Sequence, residues 1–137
     1  MSDDIAAFMF ERTGVQKVGK YLDVSALQQK LIAGNIANVA TPGYERRQID
    51  FQSEFQRAAG NGSGLIGHTT HSGHIPFGDN PDREPDIEKA RVSEGNLNSV
   101  DADQEISGLA RNELTYTIAA QLLKRKFDGL RKAITSE

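Results

Sequence analysis

The sequence predicts a mainly α protein in which two long terminal helices pack together and an irregular central segment joins them. Apolar residues recur at helical spacing in both terminal regions, whereas the centre is rich in Gly, Ser, Asn, His and Pro. The predicted organisation is an N-terminal helical segment with a turn over residues 1–57, a flexible central segment over 58–98, and a C-terminal helix over 99–137.

The C-terminal region carries the clearest helical pattern. Its apolar positions alternate in steps of three and four residues over about four heptads, and Glu113 is the polar exception. Ser99 or Asp101 is placed to cap the start, which predicts a helix over 101–134 about 50 Å long at about 1.5 Å per residue. The residues expected to pack against other helices are Ile106, Leu109, Tyr116, Leu123, Phe127, Leu130 and Ile134.

The N-terminal region predicts a second helix, from about Ile5 to Ala40, which is the available partner in the same chain. Leu22, Ile32 and Ile36 lie on its main apolar stripe, and further apolar residues lie on a second face. A helix that is apolar on more than one side requires more than one neighbour. The pattern therefore predicts that other subunits complete the packing of the helix pair.

Composition argues against several classes of function. The chain has 137 residues, with 16 basic and 19 acidic side chains and a formal net charge of −3, which is unlike a dedicated nucleic-acid-binding protein. It contains no cysteine, so disulfides and thiolate metal sites are impossible. No apolar run reaches the roughly 20 residues that span a bilayer, and the acidic N-terminus lacks the apolar core of a secretory signal. We expect no cofactor, no insertion into a membrane, and a cytoplasmic location unless a pathway without a cleaved signal exports the chain.

A compact motif follows the N-terminal helix: Asn35-Ile36-Ala37-Asn38, and then Thr41-Pro42-Gly43-Tyr44. The proline disfavours the helical conformation of the residue before it, and the Pro-Gly pair suits the centre of a type II turn. We expect the tyrosine to fold back against the helix end and the two asparagines to hydrogen-bond to the returning chain. Beyond the turn, Ile49 and Phe51 alternate with polar residues and predict a short extended segment. From composition alone, the motif is also consistent with an ordinary helix stop.

The same motif closely resembles the N-terminal signature of the flagellar rod, hook and hook-associated axial proteins. Val39 and Ala40 stand where that family more commonly has Ala-Asp or Ala-Asn. Two further segments, His71–Pro76 and Glu94–Asp101, resemble the centre and the lead into the last helix of a proximal rod protein of the family. The sister rod protein is the weaker match, because its Pro-rich centre is missing here.

The resemblance implies a fold and a function. In that family the terminal helices pair as an antiparallel coiled coil that lines an axial tube, and subunits leave through flagellar type III export without a cleaved signal. The implied role is that of a non-enzymatic structural subunit of the basal-body rod, located in the periplasmic space and needed for motility. The implied partners are other copies of the chain, neighbouring rod proteins, membrane-ring and rod-adaptor proteins at the rod base, and the export apparatus.

Other candidate chemistry in the sequence is weak. His68, His71 and His74 recur every third residue, but no predicted element would fix their geometry, so we predict no metal site. No nucleophile elbow or phosphate-binding glycine pattern occurs, so no catalytic residue is predicted.

Two basic clusters remain open to interpretation. Arg46 and Arg47 either pair with acidic groups of a neighbouring subunit or are solvated. The cluster Lys124-Arg125-Lys126 is interpreted as a solvated helix face rather than a nucleic-acid or lipid contact. The alternative to a rod subunit is a cytoplasmic helical adaptor with no flagellar role.

Overall fold

The computed structural model describes residues 14–60, 84–90 and 99–135. In these residues the chain forms, in order, α1 (Val15–Ala37), β1 (Arg47–Gln48), α2 (Phe51–Ala58), β2 (Glu88–Lys89) and α3 (Ala102–Thr135). The predicted mainly α fold, with two long terminal helices packed together, is confirmed. The expected start of the first helix, most of the central segment and the three histidines lie outside the described residues.

Helix α1 ends earlier than the sequence predicts, and a glycine in the left-handed conformation stands before its first residue. Gly14 precedes it with a positive φ of 66°, a conformation that favours glycine because no Cβ clashes with the backbone. The helix ends at Ala37, three residues before the predicted end, and Asn38 forms its C-cap with its backbone N–H directed to Asn35 O and Ile36 O. Its 23 residues span about 35 Å at about 1.5 Å per residue.

Helix α3 begins and ends within one or two residues of the predicted limits. Of the two candidate caps, Asp101 is the one used: its Oδ1 accepts hydrogen bonds from the backbone N–H groups of Asp103 (3.0 Å) and Gln104 (3.2 Å). The 34 residues of α3 span about 51 Å at about 1.5 Å per residue, so this helix is longer than α1 by about 16 Å.

The two long helices pair in antiparallel orientation. Asn35, near the end of α1, contacts Glu105, near the start of α3. At the opposite end, a Cβ built on Gly14 would lie 3.8 Å from Lys126 Nζ. Along α1 and α3 the facing positions alternate in steps of three and four, which is the pattern of a coiled-coil seam. The seam residues are Val18, Tyr21, Ser25, Gln28, Ile32 and Asn35 on α1, with Glu105, Gly108, Asn112, Thr115 and Ala119 on α3.

Small and polar side chains dominate this seam. Ser25, Asn112 and Ala119 are buried in it, and Asn112 Nδ2 donates to Ser25 O at 2.9 Å. Gly108 lets the helices approach, because a Cβ there would meet Ile32 Cδ1 at 3.7 Å. On α3, each residue that meets α1 therefore directly precedes a residue of the predicted apolar stripe. The predicted stripe runs along the edge of the seam.

Helix α2 replaces part of the predicted extended segment. The expectation of extended structure at Phe51 is wrong, because Asp50 caps a helix there by accepting from Gln52 N (3.1 Å) and Ser53 N (3.3 Å). The ring of Phe51 meets Tyr21 of α1 edge-on at 5.1 Å, and Phe55 meets the same tyrosine at 5.5 Å. This aromatic cluster attaches α2 to the start of α1.

A two-stranded antiparallel sheet holds residues 84–90 against the turn. Arg47 pairs with Lys89, and Gln48 pairs with Glu88. Glu54 of α2 is buried and accepts from Asp86 N at 3.2 Å, so this segment also contacts α2.

We predict that Ile32→Ala lowers the free energy of unfolding by about 2–4 kcal/mol, because it leaves a cavity against Gly108 in the seam. Ile106→Ala is the matched control, because Ile106 is 55% exposed while Ile32 is 7% exposed. The control should change stability by no more than about 0.5 kcal/mol. Urea denaturation followed by circular dichroism measures both, and equal effects would contradict the assigned seam.

Candidate assembly interface

The side chain of Asn35 lies at the centre of the predicted motif and is fully buried. Its Nδ2 group donates to Arg47 O at 2.8 Å and to Glu105 Oε2 at 3.0 Å. Its Oδ1 atom accepts from Arg47 N at 2.9 Å and from the Tyr44 hydroxyl at 3.4 Å. All four hydrogen-bonding positions of the amide are thereby used. One side chain joins α1, the turn, the returning strand and α3.

A buried carboxylate completes this network. The Glu105 side chain has no exposed surface, and its Oε1 accepts from Arg46 Nε at 2.5 Å. Arg46 is partly buried and also donates to Gln48 Oε1. A buried carboxylate is tolerated only where it is paired and hydrogen-bonded, and its place near the start of α3 adds the favourable field of the helix N-terminus. Arg46 therefore forms its ion pair within its own chain. The Arg47 side chain is exposed, and it makes no ion pair with any of the described residues.

The turn adopts the geometry expected from Pro-Gly. Tyr44 N donates to Thr41 O at 3.3 Å, and Gly43 has a positive φ of 74°, as the third residue of a type II turn requires. The hydroxyl of Thr41 donates to Asn38 Oδ1 at 3.3 Å, and Asn38 Nδ2 donates back to Gly34 O at 2.8 Å. Asn38 therefore stabilises the helix end, while Asn35 alone bonds to the returning chain.

Ser99 connects the turn to the start of α3, a role that the sequence did not reveal. Its Oγ accepts from Arg46 N at 2.7 Å and donates to Ala90 O at 3.1 Å. Its backbone N–H donates to Tyr44 O at 3.2 Å. A serine directly before a helix is usually interpreted as a cap, and that local signal concealed its long-range partners.

The residues of the motif differ in exposure. Asn35 is buried, and Ile36, Asn38 and Tyr44 are partly buried. The remaining motif residues are exposed at the tip of the helix pair, and they are Ala37, Thr41, Pro42 and Gly43.

The residues predicted to pack between helices also fall into three groups. Ile32 is buried in the seam. Ile106, Phe127 and Ile134 are exposed by 55%, 46% and 73% respectively. The others are partly buried along the edges of the seam, and they are Leu22, Ile36, Leu109, Tyr116, Leu123 and Leu130.

A second apolar row on α3 was not selected from the sequence as a packing surface. Leu114, Ile118 and Leu122 follow one another at spacings of four and are exposed by 64%, 58% and 45%. Ile118 and Leu122 border an apolar groove of about 350 Å³, whose other walls include Tyr21 and Phe55. The spacing of four was the signal that could have found this row.

The two exposed apolar sets lie on different sides of the seam. At about 100° per residue, Ile118 and Leu122 project on the α2 side, whereas Ile106 and Phe127 project on the opposite side. The fold and these surfaces define a class of protein: a helical hairpin with apolar surface on both flanks of its long helix. In the part of the chain that the structure describes, no helix is both long and apolar enough to cross a membrane.

Comparison with known proteins identifies the family. No protein-family model matches the chain. The flagellar basal body rod protein FlgB of Cereibacter sphaeroides is 37% identical over 111 residues, which cover 80% of this chain and 84% of the relative. FlgB of Salmonella typhimurium (strain LT2) is 33% identical over 115 residues, covering 80% and 83%. FlgB of Borreliella burgdorferi is 31% identical over 130 residues, covering 88% and 94%.

The chain belongs to the FlgB family of flagellar basal body rod proteins. The resemblance found in the sequence is thereby confirmed. A rod protein is a structural component, so the expectation that the chain is not an enzyme is confirmed as well.

We predict that Asn35→Ala lowers the free energy of unfolding by about 2–4 kcal/mol, because it leaves a buried carboxylate oxygen and two backbone groups without a partner. Asn38→Ala is the matched control in the same motif. Its side chain bonds only at the helix end, so the loss there should be about 1 kcal/mol or less. Chemical denaturation measures the free energy of unfolding of both variants. An equal loss of stability in Asn38→Ala and Asn35→Ala would show that the Asn35 network is not central to the fold.

Proposed function

We propose that this chain is a structural subunit of the proximal part of the flagellar rod, and that it assembles through the exposed apolar flanks of its terminal helices. The observation that carries the proposal is the presence of two such flanks on α3, in a chain whose own helix pairing leaves them exposed. Membership of the FlgB family supports the placement in the rod. Assembly would then bury the apolar surface that the helix pairing of a single chain leaves exposed.

Burial of these flanks supplies the driving force. Full burial of one large aliphatic side chain contributes about 1.5–3 kcal/mol, at about 25 cal/mol per Å² of apolar surface removed from water. The row formed by Leu114, Ile118 and Leu122 therefore contributes several kcal/mol. Association costs about 4–15 kcal/mol in lost translational and rotational freedom, so one such contact is weak by itself. Stable incorporation requires that a subunit meets several neighbours together.

The partners of these surfaces follow from the proposed location. Within the rod they are other copies of the chain and neighbouring rod proteins, and at the rod base they are membrane-ring and rod-adaptor proteins. The exposed tip formed by Thr41, Pro42 and Gly43 offers a further contact surface at one end of the helix pair. The partners do not include nucleic acid in this proposal, and the chain is not inserted in the membrane.

Delivery is proposed to occur through the flagellar type III export apparatus, without a cleaved signal, to the periplasmic space. The polar seam supports this route on physical grounds. Ser25, Gly108 and Asn112 contribute less apolar burial than leucines at the same positions would. A helix pair held by such a seam unfolds at a lower free-energy cost, which suits passage through a narrow channel.

Electron microscopy of basal bodies from a strain that lacks this chain tests the proposed function. We expect arrest at the membrane ring, without rod, hook or filament. A complete rod and filament in that strain would contradict the proposal and favour a cytoplasmic helical adaptor. Secretion gives an independent readout, because a rod subunit leaves the cytoplasm only when the flagellar exporter is active.

We further predict that the triple change Leu114→Ala, Ile118→Ala and Leu122→Ala abolishes swimming motility while the purified chain keeps its helical circular dichroism. The three side chains are largely exposed in the single chain, so their loss affects assembly more than folding. The control is Glu113→Ala, Thr117→Ala and Gln121→Ala, three exposed polar positions in the same turns of α3. Normal motility in the apolar triple variant would exclude this row as an interface.

A further inference from the structure

We propose that a cleft between β1 and α3 binds a carboxylate side chain of an acidic peptide segment, and that Arg47 and Arg111 hold this carboxylate. The proposal rests on the proposed assembly function, because the segment belongs to a neighbouring subunit of the rod. It adds a polar recognition site to the apolar flanks, which drive association without selecting a partner by charge.

The cleft lies where α1, the returning strand and α3 meet, and it has a volume of about 320 Å³. Ile32 and Gly108, which meet in the seam, line its base. Residues 46–49 form one rim, and the other rim includes residues 104, 107 and 111 of α3. Small-molecule sites have volumes of about 300–1,000 Å³, so this cleft is large enough for one side chain and a short piece of backbone but not for a helix.

Two arginines bring positive charge without a counterion to this cleft. Arg46 and Glu105 also line it, but they pair with each other inside the fold. Arg47 and Arg111 are exposed, and neither forms an ion pair within the part of the chain that the structure describes. One arginine lies on each rim. The planar guanidinium group presents a fork of N–H donors that matches the two oxygens of a carboxylate, so this pair is suited to hold one.

The small sheet adds an independent observation. Arg47 stands directly opposite Lys89 in the antiparallel pair, and like charges in that arrangement repel each other. The carboxylates next to the strands do not pair with either cation. Glu88 Oε2 accepts from Gln48 Nε2 at 3.2 Å, and Glu45 makes no ion pair with a described residue. A carboxylate bound at Arg47 would relieve this repulsion.

The surroundings of the cleft favour a single carboxylate over a larger anionic partner. Exposed acidic residues directly adjoin its lining in the sequence, and they are Glu45 and Asp103. These residues repel a membrane surface or a nucleic acid, which carries dense negative charge, whereas one acidic side chain can reach the arginines between them. Three side-chain amides also line the cleft, and they belong to Gln28, Gln48 and Gln104. Because amides both donate and accept hydrogen bonds, they suit the backbone of a bound peptide.

An NMR titration of the isotope-labelled full chain tests the proposal. The probe is the peptide Gly-Glu-Glu-Gly with blocked ends, and Gly-Gln-Gln-Gly is its uncharged control. We expect the glutamate peptide to shift the side-chain Nε–Hε signals of Arg47 and Arg111, and the glutamine peptide to leave them in place. The shifts should diminish between about 50 mM and about 500 mM NaCl, because salt screens the attraction between exposed charges.

Variants separate the site from the fold. Arg47→Gln and Arg111→Gln should each weaken binding of the glutamate peptide by about tenfold, because each removes hydrogen bonds to a charged group. Helical circular dichroism should stay unchanged, since Asn35 bonds to the backbone of Arg47 and not to its side chain. Arg125→Gln is the matched control, because Arg125 is an exposed arginine of α3 that does not line the cleft. In cells, the double variant Arg47→Gln and Arg111→Gln should reduce swimming motility, and the control should not.

Several results would overturn the proposal: no shift at Arg47 and Arg111, an equal shift with the glutamine peptide, or an equal loss of binding in Arg125→Gln. Tighter binding of inorganic phosphate than of the glutamate peptide would assign the cleft to a free anion, and tighter binding of phosphatidylglycerol vesicles would assign it to a membrane surface. Any of these results leaves the rod function standing if the deletion strain still arrests at the membrane ring. A complete rod in that strain removes the rod function whatever the peptide does.

Discussion

The hydrogen bond between Asn35 and Glu105 is the interaction on which the rest of the fold depends, because it joins the two long helices at the point where the chain reverses. The carboxylate is buried and needs donors, and the amide and Arg46 supply them. Each donor is in turn positioned by the turn that follows α1. The network therefore fixes the register of the helix pair, the path of the returning strand and the start of α3 together, and the loss of one member leaves the others buried without partners.

This arrangement divides the chemistry of α3 between its faces. Polar and small residues such as Asn112 and Gly108 meet α1, where they determine register through directional bonds and close approach. Apolar residues such as Leu114 and Ile118 lie toward solvent, where non-directional burial is available to neighbours. In such a chain, directional hydrogen bonds stabilise the fold, whereas the burial of apolar surface is available to drive assembly with neighbours.

The sequence predicted the two helices, their pairing, the type II turn and the family from local patterns that act over a few residues. It did not predict which face of α3 meets α1. Periodicity methods assign the apolar stripe to the interior, and here Glu105 and Asn112 occupy the interior while Ile106 and Ile134 are exposed. A glutamate is normally assigned to the surface, and only the three-dimensional meeting with Asn35 and Arg46 makes its burial tolerable.

The roles of Asp50 and Ser99 also depend on tertiary contacts that the sequence does not show. Asp50 followed by Phe51 was compatible with a strand or with a capped helix, and the packing of Phe51 and Phe55 on Tyr21 selected the helix. Ser99 had a plausible local role as a cap, yet two of its partners, Arg46 and Tyr44, lie more than fifty residues earlier in the chain. Long-range partners of this kind leave no signal in a single sequence.

The separation of 70 residues between Asn35 and Glu105 has a consequence for synthesis of the chain. At about 5–20 residues per second, a ribosome needs about 4–14 s to add the residues between them. During that interval the Asn35 amide has no Glu105 carboxylate to bond. The hairpin therefore closes only after most of the chain has been synthesised, although the residues of its turn are among the first third to be made.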